Sequence, residues 1–201
     1  MHASSKTKFK FNKSTLTLIR AIHVYVSMAL LVMMLFFAIT GITLNHPTWF
    51  DAKGITKYQE DALPAYLFTL SADEQQQALS HYVGSSFAMD YSTAQISPDE
   101  IQLVHKGPGS YKTLTLDLVE KQSYFEQIDY GLIAILNDLH KGRNSGKVWA
   151  FILDLCAILI ILFSISGALL LVPQQKRLKK SISYMLFATG CCALVYFTLI
   201  P

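Results

Sequence analysis

The sequence predicts an α+β membrane protein: three transmembrane helices, with a small helix-plus-antiparallel-sheet domain inserted between the first and the second. Three observations carry this. Of 201 residues, 52% are hydrophobic and 15% charged, a balance that suits a small membrane protein better than a water-soluble domain. The apolar residues come in blocks. No Asp, Glu, Lys or Arg falls between Ala21 and Leu44 or between Ser181 and Ile200, and only Asp154 falls between Val148 and Val172. A helix needs about 20 apolar residues to cross a hydrocarbon core roughly 30 Å thick, and each block is long enough. Between the first two blocks the pattern turns polar and its period changes.

The chain accordingly reads as a basic N-terminus over 1–20, a first membrane helix over 21–45, an extramembrane domain over 46–147, a second helix over 148–173, a basic link over 174–180 and a third helix over 181–200. The first helix is read as retained. It begins after about 20 residues, exceeds the roughly 7–15-residue apolar core of a signal peptide, and ends in Thr43-Leu44-Asn45-His46-Pro47, which lacks a small-residue cleavage pattern. Orientation follows from charge. Lys6, Lys8, Lys10, Lys13 and Arg20 precede helix one, and Lys176, Arg177, Lys179 and Lys180 fill the short link, with no acid in either segment. The positive-inside rule makes both cytoplasmic, which puts the inserted domain outside and the C-terminus on that far side. From Asn45 to Lys147 there are 8 basic and 13 acidic residues, a net of −5. The overall charge of +3 is therefore a topology signal and gives no ground for nucleic-acid binding. Cys156, Cys191 and Cys192 all fall in membrane helices, so no disulfide framework or metal cluster is expected, and apolar packing is their plain role.

Within the inserted domain, Ser71-Ala72-Asp73-Glu74 is a capping-box pattern that opens a helix over Ala72–Val83, ending near Gly84-Ser85-Ser86. Three strands follow, at Glu100–His105, Tyr111–Leu118 and Ser123–Tyr130, separated by turns at Lys106–Ser110 and Val119–Gln122. Leu132–His140 reads as a short amphipathic helix leading back to the membrane. No internal repeat is expected. His81 and His105 read as surface or structural residues, and no nucleophile–base pattern, phosphate loop or zinc signature is visible.

Three histidines lie near lipid. His23 and His46 stand 23 residues apart at opposite ends of helix one, about 35 Å if helical, and cannot share a ligand within one chain. His140 precedes helix two at the same face as His46. Two neutral imidazoles at a helix-bundle mouth suit the axial positions of a b-type haem, with Arg143, Lys141 or Lys147 at the propionates and Asp138, Asn45 or Asp154 accepting a second ring N–H. The same spacing also suits interfacial histidines with no cofactor. His23 lacks an intrachain histidine partner, so Met185 or a second copy of the chain would have to complete that site. Asp154, about 9 Å into helix two, must pair, protonate or face water, either beside a ligand histidine, in a proton path, or as an ion pair or solvated site near the outer surface.

The segments "RAIHVYVSMALLVMMLFFAITGITLNHPTWF" and "LNDLHKGRNSGKVWAFILDLCAILIILFSISGALLL" together resemble the two membrane motifs of the PepSY-associated transmembrane family. The resemblance rests on Arg20 and His23, Thr40-Gly41, the "LNHPTW" segment, Leu139-His140, Trp149, Asp154 and Ser166-Gly167. It implies a PepSY-like inserted domain, periplasmic in a bacterial inner (cytoplasmic) membrane. Larger members of the family resemble haem proteins that reduce ferric siderophores, so the resemblance makes His23, His46 and His140 the candidate haem ligands. It also implies a periplasmic ferric chelate or flavoprotein as partner. This chain departs from those larger members in having one helix–domain–helix unit plus a third helix. The expectation is a b-type haem protein that carries electrons across the membrane, with a homodimer as one way to complete it. The rivals are a cofactor-free, membrane-anchored binding or regulatory module and an accessory subunit.

Overall fold

The computed structural model describes residues 11–50 and 53–200; Lys6, Lys8, Lys10 and Pro201 lie outside that range. Three helices are long and apolar enough to cross a membrane: α1 (Lys13–Asn45), α4 (Gly146–Leu171) and α5 (Gln175–Leu199). Their side chains are largely uncovered. Leu30 and Thr40 of α1 and Cys156 and Ser166 of α4 are buried, whereas no residue of α5 is. So much uncovered apolar surface is stable in lipid and not in water.

Two of these helices begin earlier than their apolar blocks. The helix through the first block starts at Lys13, not at 21, and the basic segment expected as a link is helical from Gln175. Lys, Arg, Gln and Leu are strong helix formers, so nothing in these stretches stops a helix at the edge of the apolar run. The break between α4 and α5 is only Val172-Pro173-Gln174, where proline ends the preceding helix.

The described residues form two compact units: α1 up to Leu35 with the chain from Asp154 onward, and Phe36–Leu153. The second unit contains a five-stranded antiparallel sheet of β1 (Ile55–Ala62), β2 (Gln95–Ile96), β3 (Glu100–Gly107), β4 (Ser110–Asp117) and β5 (Gln122–Asp129), in the order β1-β5-β4-β3-β2. The three strands expected from alternation are β3, β4 and β5. β1 was not legible, since all eight of its residues are exposed and it lies at a sheet edge, pairing β5 from Ile55↔Asp129 to Ala62↔Gln122.

Alternation fixes which face of the sheet is covered. Ile101 and Leu103 of β3 and Leu114 and Leu116 of β4 point to one side, each at most 2% exposed. Against them lies α2 (Ala72–Phe87), whose Leu79, Val83 and Phe87 recur every fourth residue on one face. That spacing carries the helix past Gly84, its expected end, because Phe87 is part of the core. It stops at Ala88, which is left-handed at φ 51°.

The start of α2 is set by Ser71, whose backbone N–H and hydroxyl both donate to Glu74 Oε2, at 3.2 and 2.6 Å. The hydroxyl bond first, then the backbone bond, hold the Glu74 carboxyl below its ordinary range. A lowered folded-state pKa stabilises the fold above the ordinary glutamate range and ceases to do so as pH falls through the folded value. Glu74→Gln should therefore lower the urea midpoint of the full chain in detergent at neutral pH. The gap from the unsubstituted chain should shrink at acid pH, and a gap that persists unchanged there would refute the titration argument.

Candidate functional site

Four consecutive residues near the end of α3 (Gly131–Lys141) tie three other parts of the second unit together. Thr43 Oγ1 of α1 donates to Asn137 Oδ1 at 2.7 Å. The backbone N–H of Gly109, in the β3–β4 turn, donates to Asp138 Oδ2 at 2.9 Å. The indole N–H of Trp149 on α4 donates to the Leu139 carbonyl at 2.8 Å. His140 Nδ1 lies 2.6 Å from Thr40 Oγ1 of α1. The helix ends immediately after in left-handed Gly142, with Gly142 N–H donating to Leu139 O and Arg143 N–H to Asp138 O. This is the ending that glycine favours, and it leaves His140 in the last turn.

The hydrogen bonds assign the tautomer of His140. Thr40 Oγ1 lies 2.6 Å from the Phe36 carbonyl and 2.6 Å from His140 Nδ1. A hydroxyl has one hydrogen and a carbonyl can only accept, so Thr40 donates to Phe36 and His140 Nδ1–H donates to Thr40. In the neutral ring Nε2 then carries the lone pair. In the other unit, His23 Nδ1 lies 3.2 Å from the Phe163 carbonyl and 3.0 Å from Ser166 Oγ, while Ser166 Oγ donates to that same carbonyl at 2.9 Å. His23 Nδ1 is therefore also the donor, and its Nε2 is also bare.

The two arrangements come from one short pattern, shared by α1 and α4. Phe37-Ala38-Ile39-Thr40-Gly41 and Phe163-Ser164-Ile165-Ser166-Gly167 both read Phe-x-Ile-Ser/Thr-Gly. Helical spacing puts the first, fourth and fifth residues on one face, where they form a cradle for a histidine of another element. Phe37 meets the His140 ring edge-on at 5.0 Å, and Phe163 stacks on the His23 ring at 4.6 Å. Each glycine lies against its imidazole: a Cβ at Gly167 would crowd His23 Cε1 at 3.1 Å, whereas one at Gly41 would meet His140 Cε1 in ordinary contact at 3.7 Å. The repeat is five residues long and sits inside apolar runs, so it shows only once each histidine is seen beside it. The ring N–H acceptors are thus hydroxyls and a carbonyl, where sequence reasoning looked to Asp138, Asn45 and Asp154.

The remaining candidates lie elsewhere. His46 follows the end of α1 and stacks on Trp49, with centroids 3.9 Å apart and planes within 4°. It and His140 thus have different ring partners. Arg143, Lys141 and Lys147 are exposed. Asp154 is exposed eight residues into α4, about 12 Å along it, and two residues from buried Cys156, a helical step of about 200° that turns it to the opposite face. Met185 is exposed on α5, whereas the hydrogen-bond partners of His23 all come from α4. Among the described residues no three His, Cys, Asp or Glu side chains gather as a metal site; an axial haem position asks for only one or two ligands.

The sheet face turned away from α2 is open. A hollow of about 330 Å³ there is lined by Tyr58, Glu60, Thr113, Thr115, Tyr124 and Glu126. Tyr58 donates to Glu126 at 2.8 Å and Tyr124 to Glu120 at 3.2 Å. The Glu126 hydrogen bond and charge raise the Tyr58 phenol, while desolvation and then Glu120 raise Tyr124.

No curated protein and no solved structure matches the chain. Residues 17–201 match the family described as "Putative PepSY_TM-like". With nearly the whole chain inside that match, two membrane motifs and a helix-plus-sheet insert between them, the protein belongs to this PepSY_TM-like membrane family.

Proposed function

We propose that the protein is a b-type haem electron carrier of the bacterial cytoplasmic membrane, with a cytoplasmic N-terminus and a periplasmic sheet domain. It exchanges electrons with a periplasmic ferric chelate or flavoprotein. The observation that carries this reading is the pair of histidines whose Nδ1 lies 3.0 and 2.6 Å from a buried hydroxyl, an arrangement that leaves Nε2 for a metal, since a metal-ligating imidazole commonly donates its other ring nitrogen to an acceptor. The donor set fits a haem iron, which when bound supplies one-electron storage.

The chain's own residues take these roles. His140 and His23 present Nε2, and His46 is the candidate second ligand on the His140 side. Arg143, with Lys141 and Lys147, supplies cations for propionates near the end of α3. Asp154 is the carboxylate available to a cationic or protonated group at the face of α4. His23 and Thr40 are seventeen residues apart on continuous α1, about 26 Å, which suits sites toward the two sides of a membrane.

The test is a visible spectrum of the full chain in mild detergent, oxidised and dithionite-reduced, with haem counted per chain. The expected result is b-type bands at one or two haems per chain. His140→Ala should lose the haem of its station while the chain still inserts. Full haem content in that variant refutes the His140 assignment. The open Tyr/Glu face of the sheet favours a second reading, a binding module without cofactor. That reading is the one left if the chain, expressed with added haem, shows no bands.

A further inference from the structure

Thr40 and Ser166 are two of only three buried polar residues among those described, at 2% and 5% exposed. Each already satisfies its own hydroxyl hydrogen on a carbonyl of its own helix, Phe36 and Phe163 respectively. Neither helix needs a hydroxyl there for its own sake, and alanine would serve the helix as well. What each hydroxyl adds is an acceptor for an imidazole from a different element. The same pattern, with the same phenylalanine and glycine around it, does this twice in one chain. Two independent occurrences argue for a purpose beyond helix contact.

We propose that Thr40 and Ser166 are the positioning residues of His140 and His23, and that each hydroxyl holds its imidazole as the Nδ1–H tautomer with Nε2 free as an electron-pair donor. A neutral imidazole in water prefers to carry its proton on Nε2, the nitrogen that must be bare to bind a metal. The cradle reverses that preference before any ligand arrives. Among the described residues the Thr40 hydroxyl oxygen is the one polar acceptor that meets His140 Nδ1, whereas His23 Nδ1 has the Phe163 carbonyl as well. The dependence on Thr40 is therefore the stronger of the two. Use of the free Nε2 by a haem iron rests on the function proposed above; the tautomer itself does not.

The experiment is nitrogen NMR of the full chain, labelled with ¹⁵N-histidine and held in detergent without haem, above the histidine titration range. The one-bond proton coupling shows which ring nitrogen carries hydrogen. Exposed His81 and His105 serve as internal references. The expected result is Nδ1–H at both His23 and His140 in the unsubstituted chain. Thr40→Val should return His140 alone to the Nε2–H form, and Thr40→Ser should keep Nδ1–H. Ser166→Ala should shift His23 only in part. In haem-loaded protein, Thr40→Val should weaken haem retention by about 10–100-fold, with Thr40→Ser near the unsubstituted value. If Thr40→Val leaves His140 as Nδ1–H, or the unsubstituted chain shows Nε2–H there, the proposal is overturned whatever the haem content. A tautomer that follows the hydroxyl in chains that take up no haem upholds the proposal and overturns the haem reading instead. Far-UV circular dichroism confirms that each variant keeps its helices, and the Thr40→Ser result stands if Thr40→Val does not fold.

Discussion

Leu114→Ala should lower the stability of the sheet domain by about 2–5 kcal/mol, the range for removing a fully buried leucine and leaving a cavity. Leu114 is 0% exposed and sits opposite Leu103 on β3 and Phe125 on β5, beneath α2. Leu103 is itself a core residue and Phe125 packs against the core, both pinned in a hydrogen-bonded sheet, so the hole cannot be refilled by a small side-chain shift. The measurement is urea unfolding of the full chain in detergent, followed by tyrosine fluorescence, which reports mainly on the domain that holds most of the tyrosines. Thr113→Ala, one residue away on the open face, is the control and should change stability by no more than about 0.5 kcal/mol. Equal losses from the two substitutions would mean that the sheet does not have one covered face and one open face.

Gly109→Ala should have an effect of similar size for a different reason. Gly109 has φ +60°, and a Cβ there would lie 2.6 Å from Ile135 Cγ1 and 2.7 Å from the Ile135 backbone nitrogen. The left-handed backbone alone costs an alanine about 1–2 kcal/mol. The clash adds to this, because a backbone atom of α3 cannot swing aside as a side-chain tip can. Gly109 also gives its N–H to Asp138 and accepts the Tyr130 N–H at 2.9 Å. The substitution therefore pushes the β3–β4 turn off the helix that carries His140. Amide exchange should speed up at Gly109 and Tyr130. Gly84→Ala is the contrast: nothing lies within 4 Å of a Cβ there, and the change in the last turn of α2 should be neutral or stabilising by at most about 0.5–1 kcal/mol. Unaltered exchange in Gly109→Ala would show that the turn does not clamp α3.

The parts of the fold that the sequence made legible are those where burial imposes a period. The apolar blocks announced three membrane helices, and "YKTLTLDL" announced β4, because Leu114 and Leu116 alternate with polar neighbours on the open face. β1 gave no such signal: "ITKYQEDA" buries nothing, and its pairing is all backbone, to which sequence periodicity is blind. The start of α1 at Lys13 was hidden because charged residues and helix are compatible. At the site, the histidines stood out because an imidazole beside lipid is conspicuous. Their partners stood out only as the motif residues Thr40-Gly41 and Ser166-Gly167, with no role attached. A serine or threonine in an apolar helix ordinarily bonds its own carbonyl, and only the three-dimensional fit of His140 to Thr40 and of His23 to Ser166 shows the second use of those oxygens.

The exchange between helices has a mechanical result. α1 gives its histidine to the pentapeptide of α4 and offers its own pentapeptide to the histidine that precedes α4. Within the first unit, sliding α1 by one residue would turn it by about 100° and break the bond from His23 to Ser166. That bond pins the register of α1 on α4, where the surrounding side chains are apolar and, among the described residues, His23 has no hydrogen bond other than those to Phe163 and Ser166.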